Sequence, residues 1–562
     1  MSIGSLTSKY VCGHRIIILM VLCLFGLCLA SSRQAPGKKR PRKKTDERVY
    51  LVHADKLTYD QYGRNRDAQV LNGKVHFRHK GATLTCDSAY FFEASNSFEA
   101  FGHVRMRQGD TITLTSEYAF YDGNDQMAHA RRNVVLTHRQ TKLYTDSLDF
   151  DRLYNMGYFF EGGKMVDKKN VLTSDWGEYY TDTHEAVFNY NVHLKNPKFL
   201  LTTDTLHYNT RSALAHIVGP SKITSGESVI NTSEGYYDTN KEQAQLFGRS
   251  TLVNKQKKLT GDSLYYDEKR GISEGFRNVV YEDTENKNKL YCDRFWYNEK
   301  TGEAYATQRA KLVDYSQKDT LYMHADTLKM YTYDMDTDST WRTIHCFNKV
   351  RAYRVDMQAV CDSLVYNTKD SLMTMYKDPI TWNVNRQLLG EVIKVYMADS
   401  TISRAHVIGQ AMSIEQVDDK EHFNQLSSKE MLAYFVDGEI SRSEAQGNVV
   451  SAYYFEDDKD SSLISMNYIE TAEMKMFLKQ RKLQRLWAPK SDGVSYPITQ
   501  IPPNRFKLPG FAWFDYIRPV DKDDIFVWRG KDKGKEIKPI NRHQAPLQKL
   551  SELKETSPTP SP

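Results

Sequence analysis

Asp146-Ser147-Leu148-Asp149-Phe150 is the cleanest copy of an element that returns along this chain. It comes back as Asp204-Thr205-Leu206-His207-Tyr208, as Asp262-Ser263-Leu264-Tyr265-Tyr266 and as Asp362-Ser363-Leu364-Val365-Tyr366. Working outward, acidic residues align at Asp55, Asp87, Glu117, Asp146, Asp175, Asp204, Glu234, Asp262, Asp293, Asp326, Asp362, Glu391 and Glu430, at intervals of 28 to 39 residues. A weaker copy falls between Glu470 and Phe477. A period of that length marks a repeat architecture, in which each unit buries its apolar face against its neighbours. One elongated body therefore replaces the several domains that 562 residues would otherwise suggest.

Within a repeat the polarity alternates with period two. In Phe98-Glu99-Ala100-Phe101-Gly102-His103-Val104-Arg105-Met106, the residues Ala100, Gly102, Val104 and Met106 share a face, while His103 and Arg105 point away. That is the pattern of a half-buried strand. The 36 Tyr and 24 Phe suit a pleated surface. Each repeat reads as two strands. The first carries the acidic-x-Leu-x-aromatic element. The second centres on a Gly or Asn step before a branched residue, as in Gly73-Lys74-Val75, Asn133-Val134 and Gly447-Asn448-Val449. Gly inside a strand marks a bend, so the second strand is expected to fold over a corner there. On a straight strand Asp146, Leu148 and Phe150 would share the apolar face, and a carboxylate there is costly unless it is bonded. The acid is therefore placed at a corner or open edge, hydrogen-bonded to backbone amides, with the Leu and the aromatic lining the interior. The expected fold is all-β: an elongated antiparallel two-sheet β-jellyroll, open and twisted, of about 13–14 two-strand repeats and roughly 60–70 Å long at about 4.8 Å per strand.

The ends differ from the body. Lys9, His14 and Arg15 precede an apolar run from Ile16 to Leu29 that closes on Ala30, the pattern of a cleavable signal peptide over residues 1–30. The run is short of the roughly 20 residues a membrane-spanning helix needs. The mature chain is thus expected to be exported. Residues 1–48 hold ten Lys or Arg against two acids, so the formal +6 of the whole chain becomes −2 for the remainder. The basic leader, residues 31–48, reads as a solvated linker or as an attraction to anionic headgroups. A body with no net positive charge gives little support to a nucleic-acid partner. The repeat body is set at 49–486. Residues 487–530, rich in Pro and Trp, form either a cap laid over the last strands or a docking segment, and 531–562 are charged, Pro/Ser-rich and expected to be disordered.

Chemistry is thinly represented. The recurring acid is needed in every repeat, which favours a structural role over a catalytic one. His76, His103, His193, His207 and His345 fall singly on strands, and the sequence contains no HExxH, nucleophile elbow, P-loop or dinucleotide fingerprint. Cys86, Cys292 and Cys361 precede repeat acids and Cys346 lies in a neighbouring strand, without metal-site spacing; packed free thiols are expected. The chain is read as no enzyme, with no metal and no cofactor. What remains is an apolar interior that either closes as a dry core or stays open as a groove for acyl chains, each buried methylene contributing about 0.8 kcal/mol.

Two stretches carry a family resemblance: Ala54-Asp55-Lys56-Leu57-Thr58-Tyr59-Asp60 followed by Leu71-Asn72-Gly73-Lys74-Val75, and Ser443-Glu444-Ala445-Gln446-Gly447-Asn448-Val449-Val450. Recurring serially over about residues 49–450, such motifs resemble the OstA/LptA group of lipopolysaccharide-transport proteins. The resemblance implies a twisted, open β-jellyroll in the periplasm, whose apolar interior would carry the lipid A part of lipopolysaccharide from an inner-membrane export complex toward an outer-membrane translocon. It also implies end-to-end joining by strand addition, which admits a homo-oligomer, and a location in the periplasm or at the outer membrane. About 76 residues follow position 486, too few for a translocon barrel, so a bridge is implied. Lipid would lie against Leu57, Tyr59, Val75, Val104, Leu148, Phe150, Leu206, Tyr208, Leu264, Tyr266, Leu364 and Tyr366. A charge at Phe150 or Leu206 is expected to block lipid while sparing the fold. The alternatives are a structural or adhesive surface repeat protein without lipid binding, and a glycan-active solenoid enzyme.

Overall fold

The computed structural model describes residues 47–529, apart from 60–65, 336, 338, 399–400, 419–420, 437–438, 458–461 and 480–481. The expected signal peptide, the basic leader up to residue 46 and the tail over 531–562 lie outside the described residues. Nearly all of the rest is strand, and the pairings are antiparallel, as expected for an all-β fold. Successive strands such as Gln69–His79, Ala82–Phe92, Ser97–Gln108 and Ile112–Asp122 each pair with the next, so the chain forms one continuous meander.

That meander is creased. In the long pairings the register slips near mid-strand, between Asn72 and Val75, Phe101 and Val104, or Arg131 and Val134. One strand supplies a left-handed two-residue step there, with φ of 79° and 47° at Gly73-Lys74, 70° and 43° at Gly102-His103, and 64° and 49° at Arg132-Asn133. Extra residues on one strand bend a sheet. Because the slips fall in line, the sheet folds along its length into two facing leaves. Gly is required at Gly102 for a second reason, since a Cβ would collide with the Asp87 carboxylate.

The repeat acid occupies the crease. Asp87, Glu117 and Asp146 are the residues skipped by the ladder opposite these steps. The Asp146 carboxylate accepts from the Asn133 amide at 3.3 Å, and Asp293 accepts from the Asn278 amide at 3.1 Å. Asn191 donates through its side chain to Asp175 at 2.6 Å. The slip also resolves the parity problem: Asp146 is exposed, while Leu148 and Phe150 are both 0 % exposed. Two alignments need correction. At Glu234 and Glu430 the skipped residues are their neighbours Ser233 and Lys429. Glu is one position late there, because a crease needs a short polar or flexible side chain facing out rather than an acid as such. In the last long strand the crease falls at Ala472.

The leaves meet face to face. Phe77 of the first leaf stacks on Phe98 of the second at 4.2 Å between ring centroids, and Phe199 meets Tyr237 at 4.5 Å. Cys86, Cys292, Cys346 and Cys361 are free, buried thiols within this core, and burial pushes the Cys86, Cys292 and Cys346 pKa up to about 12.

Residues 498–528 do not stop at the last strands. They run back across the outer face of the first leaf as a strap. Arg505 lies over the Tyr468 ring at 4.3 Å, and the strap ends with Phe526 against His324 at 4.8 Å and Trp528 over Arg351 at 5.4 Å. Three buried glutamines hold it. Gln425 accepts from the Leu508 amide (2.8 Å) and donates to the Phe506 carbonyl (3.0 Å); Gln387 does the same with Phe514 and Ala512, at 2.7 Å each; Gln358 accepts from Arg518 at 2.7 Å. The strap covers a second apolar cluster that includes Ile380, Trp382, Met412, Ile414, Val450 and Met466. The sequence carried the signal for this: Ala411-Met412 and Val449-Val450 are apolar at both parities, as strands buried on both faces are.

Candidate functional site

The apolar feature shared by the repeats is the space between the leaves, and its two ends differ. Between residues 71 and 246 every inward apolar position is fully packed: Val75, Leu148, Phe150 and Leu206 are 0 % exposed, Tyr208 1 % and Val104 3 %. The rims of the two leaves, formed by the hairpin turns, are tied together across this stretch. His79 and the Tyr121 hydroxyl lie 2.7 Å apart. Arg152 donates to Gln108 at 2.9 Å, to Tyr121 at 2.6 Å and to the Lys80 carbonyl at 3.2 Å. His138 meets Tyr179 at 2.7 Å. Tyr208 donates to Asp167 at 2.8 Å and accepts from Asn170, which also reaches Thr239, each at 2.8 Å. Burial and the Asp167 charge raise the Tyr208 pKa, so its hydroxyl stays protonated and donates. Among the described residues this series ends with Lys198, bonded to Glu242 at 2.7 Å and close to Glu268 at 3.5 Å.

Beyond it the inward positions nearest the rims are less completely buried. The ladder position nearest the first rim runs in register through Leu252, Leu259, Tyr281, Leu290, Leu312, Met323, Ala352 and Ala359. On the facing leaf the corresponding positions include Tyr266, Tyr297, Met330, Ile344, Tyr366, Met373 and Val395. Most of these are only half-buried, whereas nearer the crease Leu264, Val279, Cys292, Leu328, Leu364 and Met375 form a buried floor. The result is an apolar trough with tyrosine, leucine and isoleucine walls.

The structure therefore separates the predicted lipid contacts. Tyr266 and Tyr366 stand on the trough wall, above Leu264 and Leu364 in its floor. Val75, Val104, Leu148, Phe150, Leu206 and Tyr208 belong to the closed core beneath the bridged rims, so a charge at Phe150 or Leu206 is expected to disturb the fold rather than spare it. Leu57 and Tyr59 are placed differently. They pair with Leu71 and Gln69 and so share the inward face, but on the terminal strand they stand 52 % and 60 % exposed. Sequence reasoning missed the wall residues Leu252, Tyr281, Leu290, Tyr297, Leu312 and Ile344. Their inward parity was readable; how far each is covered depends on side chains of other hairpins.

The rim bridges make a pH-dependent contribution. His138 is buried and stacks on His184 at 4.9 Å between centroids. Burial, then the His184 and Arg139 charges, push its pKa down to about 4. An unfolded histidine titrates near ~6.5, so on acidification the unfolded chain takes up the proton first. The stabilisation is complete above about pH 6.5 and is lost as pH falls toward about 4. Melting temperature should fall between pH 7.5 and 5, and less steeply in His138→Gln. It should not vanish, because His184, His324 and His345 are shifted in the same direction. An identical pH slope in His138→Gln would exclude this role.

Among the described residues no group of three His, Cys, Asp or Glu is placed to hold a metal, and no helix is long and apolar enough to cross a membrane. No curated protein matches the chain. Residues 46–204 and 199–262 match the family model described as OstA-like protein, a match that ends near the last rim bridge, where the trough opens. Across residues 46–262 the chain is thus OstA-like.

Proposed function

We propose that this protein is an exported, non-catalytic carrier of lipopolysaccharide in the periplasm, and that it holds the acyl chains in the trough between about residues 252 and 395. The observation that carries this reading is the pair of facing, in-register, only partly buried apolar walls. Such a surface gains about 25 cal/mol for each Å² of apolar area that a lipid covers. Hydrocarbon makes no directional demand, so a wall of Leu, Ile and Tyr without convergent polar groups suits it better than it suits a polar substrate. The sealed N-terminal half acts in this reading as a rigid spacer rather than as part of the conduit. Among the described residues its terminal strands, Tyr50–His53 and Lys56–Tyr59, pair only with Gln69–His79, an edge onto which a strand of an inner-membrane or outer-membrane partner could add.

Native mass spectrometry of the mature protein, gently purified from its own envelope, tests the reading together with photo-crosslinking. A photo-reactive residue at Tyr297 or Tyr366 should capture lipid A-bearing glycolipid, while one at Tyr236, on the outer face and 37 % exposed, should not. Leu290→Asp together with Ile344→Asp should reduce the lipid-bound fraction at least tenfold and lower the melting temperature less than Phe150→Asp does, because both side chains are only partly buried. A lipid-free mass that added lipopolysaccharide leaves unchanged would instead favour a structural repeat protein, which the sealed half also suits.

A further inference from the structure

The outer face of the second leaf carries, at its C-terminal end, a feature the trough does not use. Tyr396, Arg404, Tyr434, Arg442, Phe477 and Arg485 pair directly in sequence, one per strand, so aromatic and guanidinium groups alternate across adjacent strands. Each Arg lies flat over a ring, at 4.0 Å for Arg404 on Tyr396, 4.0 Å for Arg442 on Tyr434 and 4.1 Å for Arg485 on Phe477. Beside this ladder Lys475 sits over Trp487 at 5.2 Å, and Trp487 is 43 % exposed.

Cation–π contacts explain why these side chains lie against one another; they do not explain the charge. From Lys475 to Lys490 the chain holds six Lys or Arg and no acid. Arg442 is paired with Glu444 at 3.2 Å. Among the described residues Arg404, Lys475, Lys479, Arg485 and Lys490 form no ion pair. The basic strip lies beside the hairpin tips, where Val436 is 60 % exposed and Leu478 pairs with Leu483. Tyr and Trp rings, basic groups and the exposed Val436 at one edge match the chemistry of a bilayer interface: phosphate for the cations, the headgroup level for the rings.

We propose that this strip docks the protein on an anionic phospholipid surface, an interaction independent of acyl binding in the trough. The test is vesicle flotation of the mature protein with Lys38, Lys39, Arg40, Arg42, Lys43 and Lys44 of the leader changed to Gln, so that the leader cannot mask the result. The protein should float with phosphatidylglycerol-containing vesicles and not with phosphatidylcholine vesicles, and binding should weaken as salt is raised. The triple variant Lys475→Gln, Lys479→Gln, Arg485→Gln should lower partitioning about a hundredfold without changing the melting temperature, while Lys257→Gln, Lys258→Gln, Lys287→Gln on the opposite rim leaves it unchanged. Equal binding to both vesicle types, equal losses in the two triples, or binding to acidic proteins with none to anionic vesicles would each overturn the proposal.

Discussion

Phe150→Asp should yield no stable, folded protein. The ring is 0 % exposed in the sealed half, packed between leaves whose rims are bridged on either side by Arg152 and by His138 with Tyr179. Removing a buried Phe costs about 3–5 kcal/mol. An unpaired carboxylate in its place adds a desolvation cost of several kcal/mol unless it is protonated or water enters. Together these approach the roughly 5–15 kcal/mol that separates a typical folded domain from its unfolded chain. The measurement is limited proteolysis with urea unfolding of the purified chain, with Phe150→Leu as a control expected to lose less than about 1.5 kcal/mol. A Phe150→Asp protein with a wild-type unfolding midpoint would mean that the rims part readily and that the conduit runs the whole length of the body.

Removing the strap, by ending the chain at Pro497, should have a comparable effect by a different route. Leu508, Phe514, Ile517 and Ile525 are at most 8 % exposed, and beneath the strap Trp382 and Ile414 are 1 % and 0 % exposed. At about 1.5–3 kcal/mol for each large apolar side chain returned to water, the strap's own four residues contribute roughly 6–12 kcal/mol before the entropy of ordering it is set against them. The leaf would be left with an apolar outer face of the kind that drives association. Its glutamine amides would lose the backbone groups they bind. The shortened protein should bind a hydrophobic dye, self-associate in light scattering and melt at least 10 °C lower. Gln387→Leu in the full chain isolates the clamp: two strap backbone groups, the Phe514 amide and the Ala512 carbonyl, lose their partners, at about 1–3 kcal/mol each if they remain buried. A monomeric, dye-negative shortened protein with unchanged melting would show that the strap merely rests on the leaf.

Much of the architecture was written locally. The acidic residue and the Gly or Asn step recur because each crease needs a left-handed backbone step and an outward polar side chain, and both are requirements of single residues. Period two gives the facing of Leu148, Leu206, Leu264 and Leu364 once the crease is allowed for. Where chemistry substitutes for the acid, at Ser233 and Lys429, the alignment slipped by one, since a residue-type rule cannot see which position the ladder skips.

The amino-acid sequence by itself determined the creased β-repeat and which side chains face inward, because those depend on neighbours two to thirty residues away. Only the tertiary structure decided which inward residues are sealed and which are open. That depends on rim partners such as His79 with Tyr121 or Asp167 with Tyr208, about forty residues apart, and on a strap that binds Gln387 from 127 residues away. Each such contact joins polar side chains that look like ordinary surface residues until folding brings them together, so no local pattern announces them.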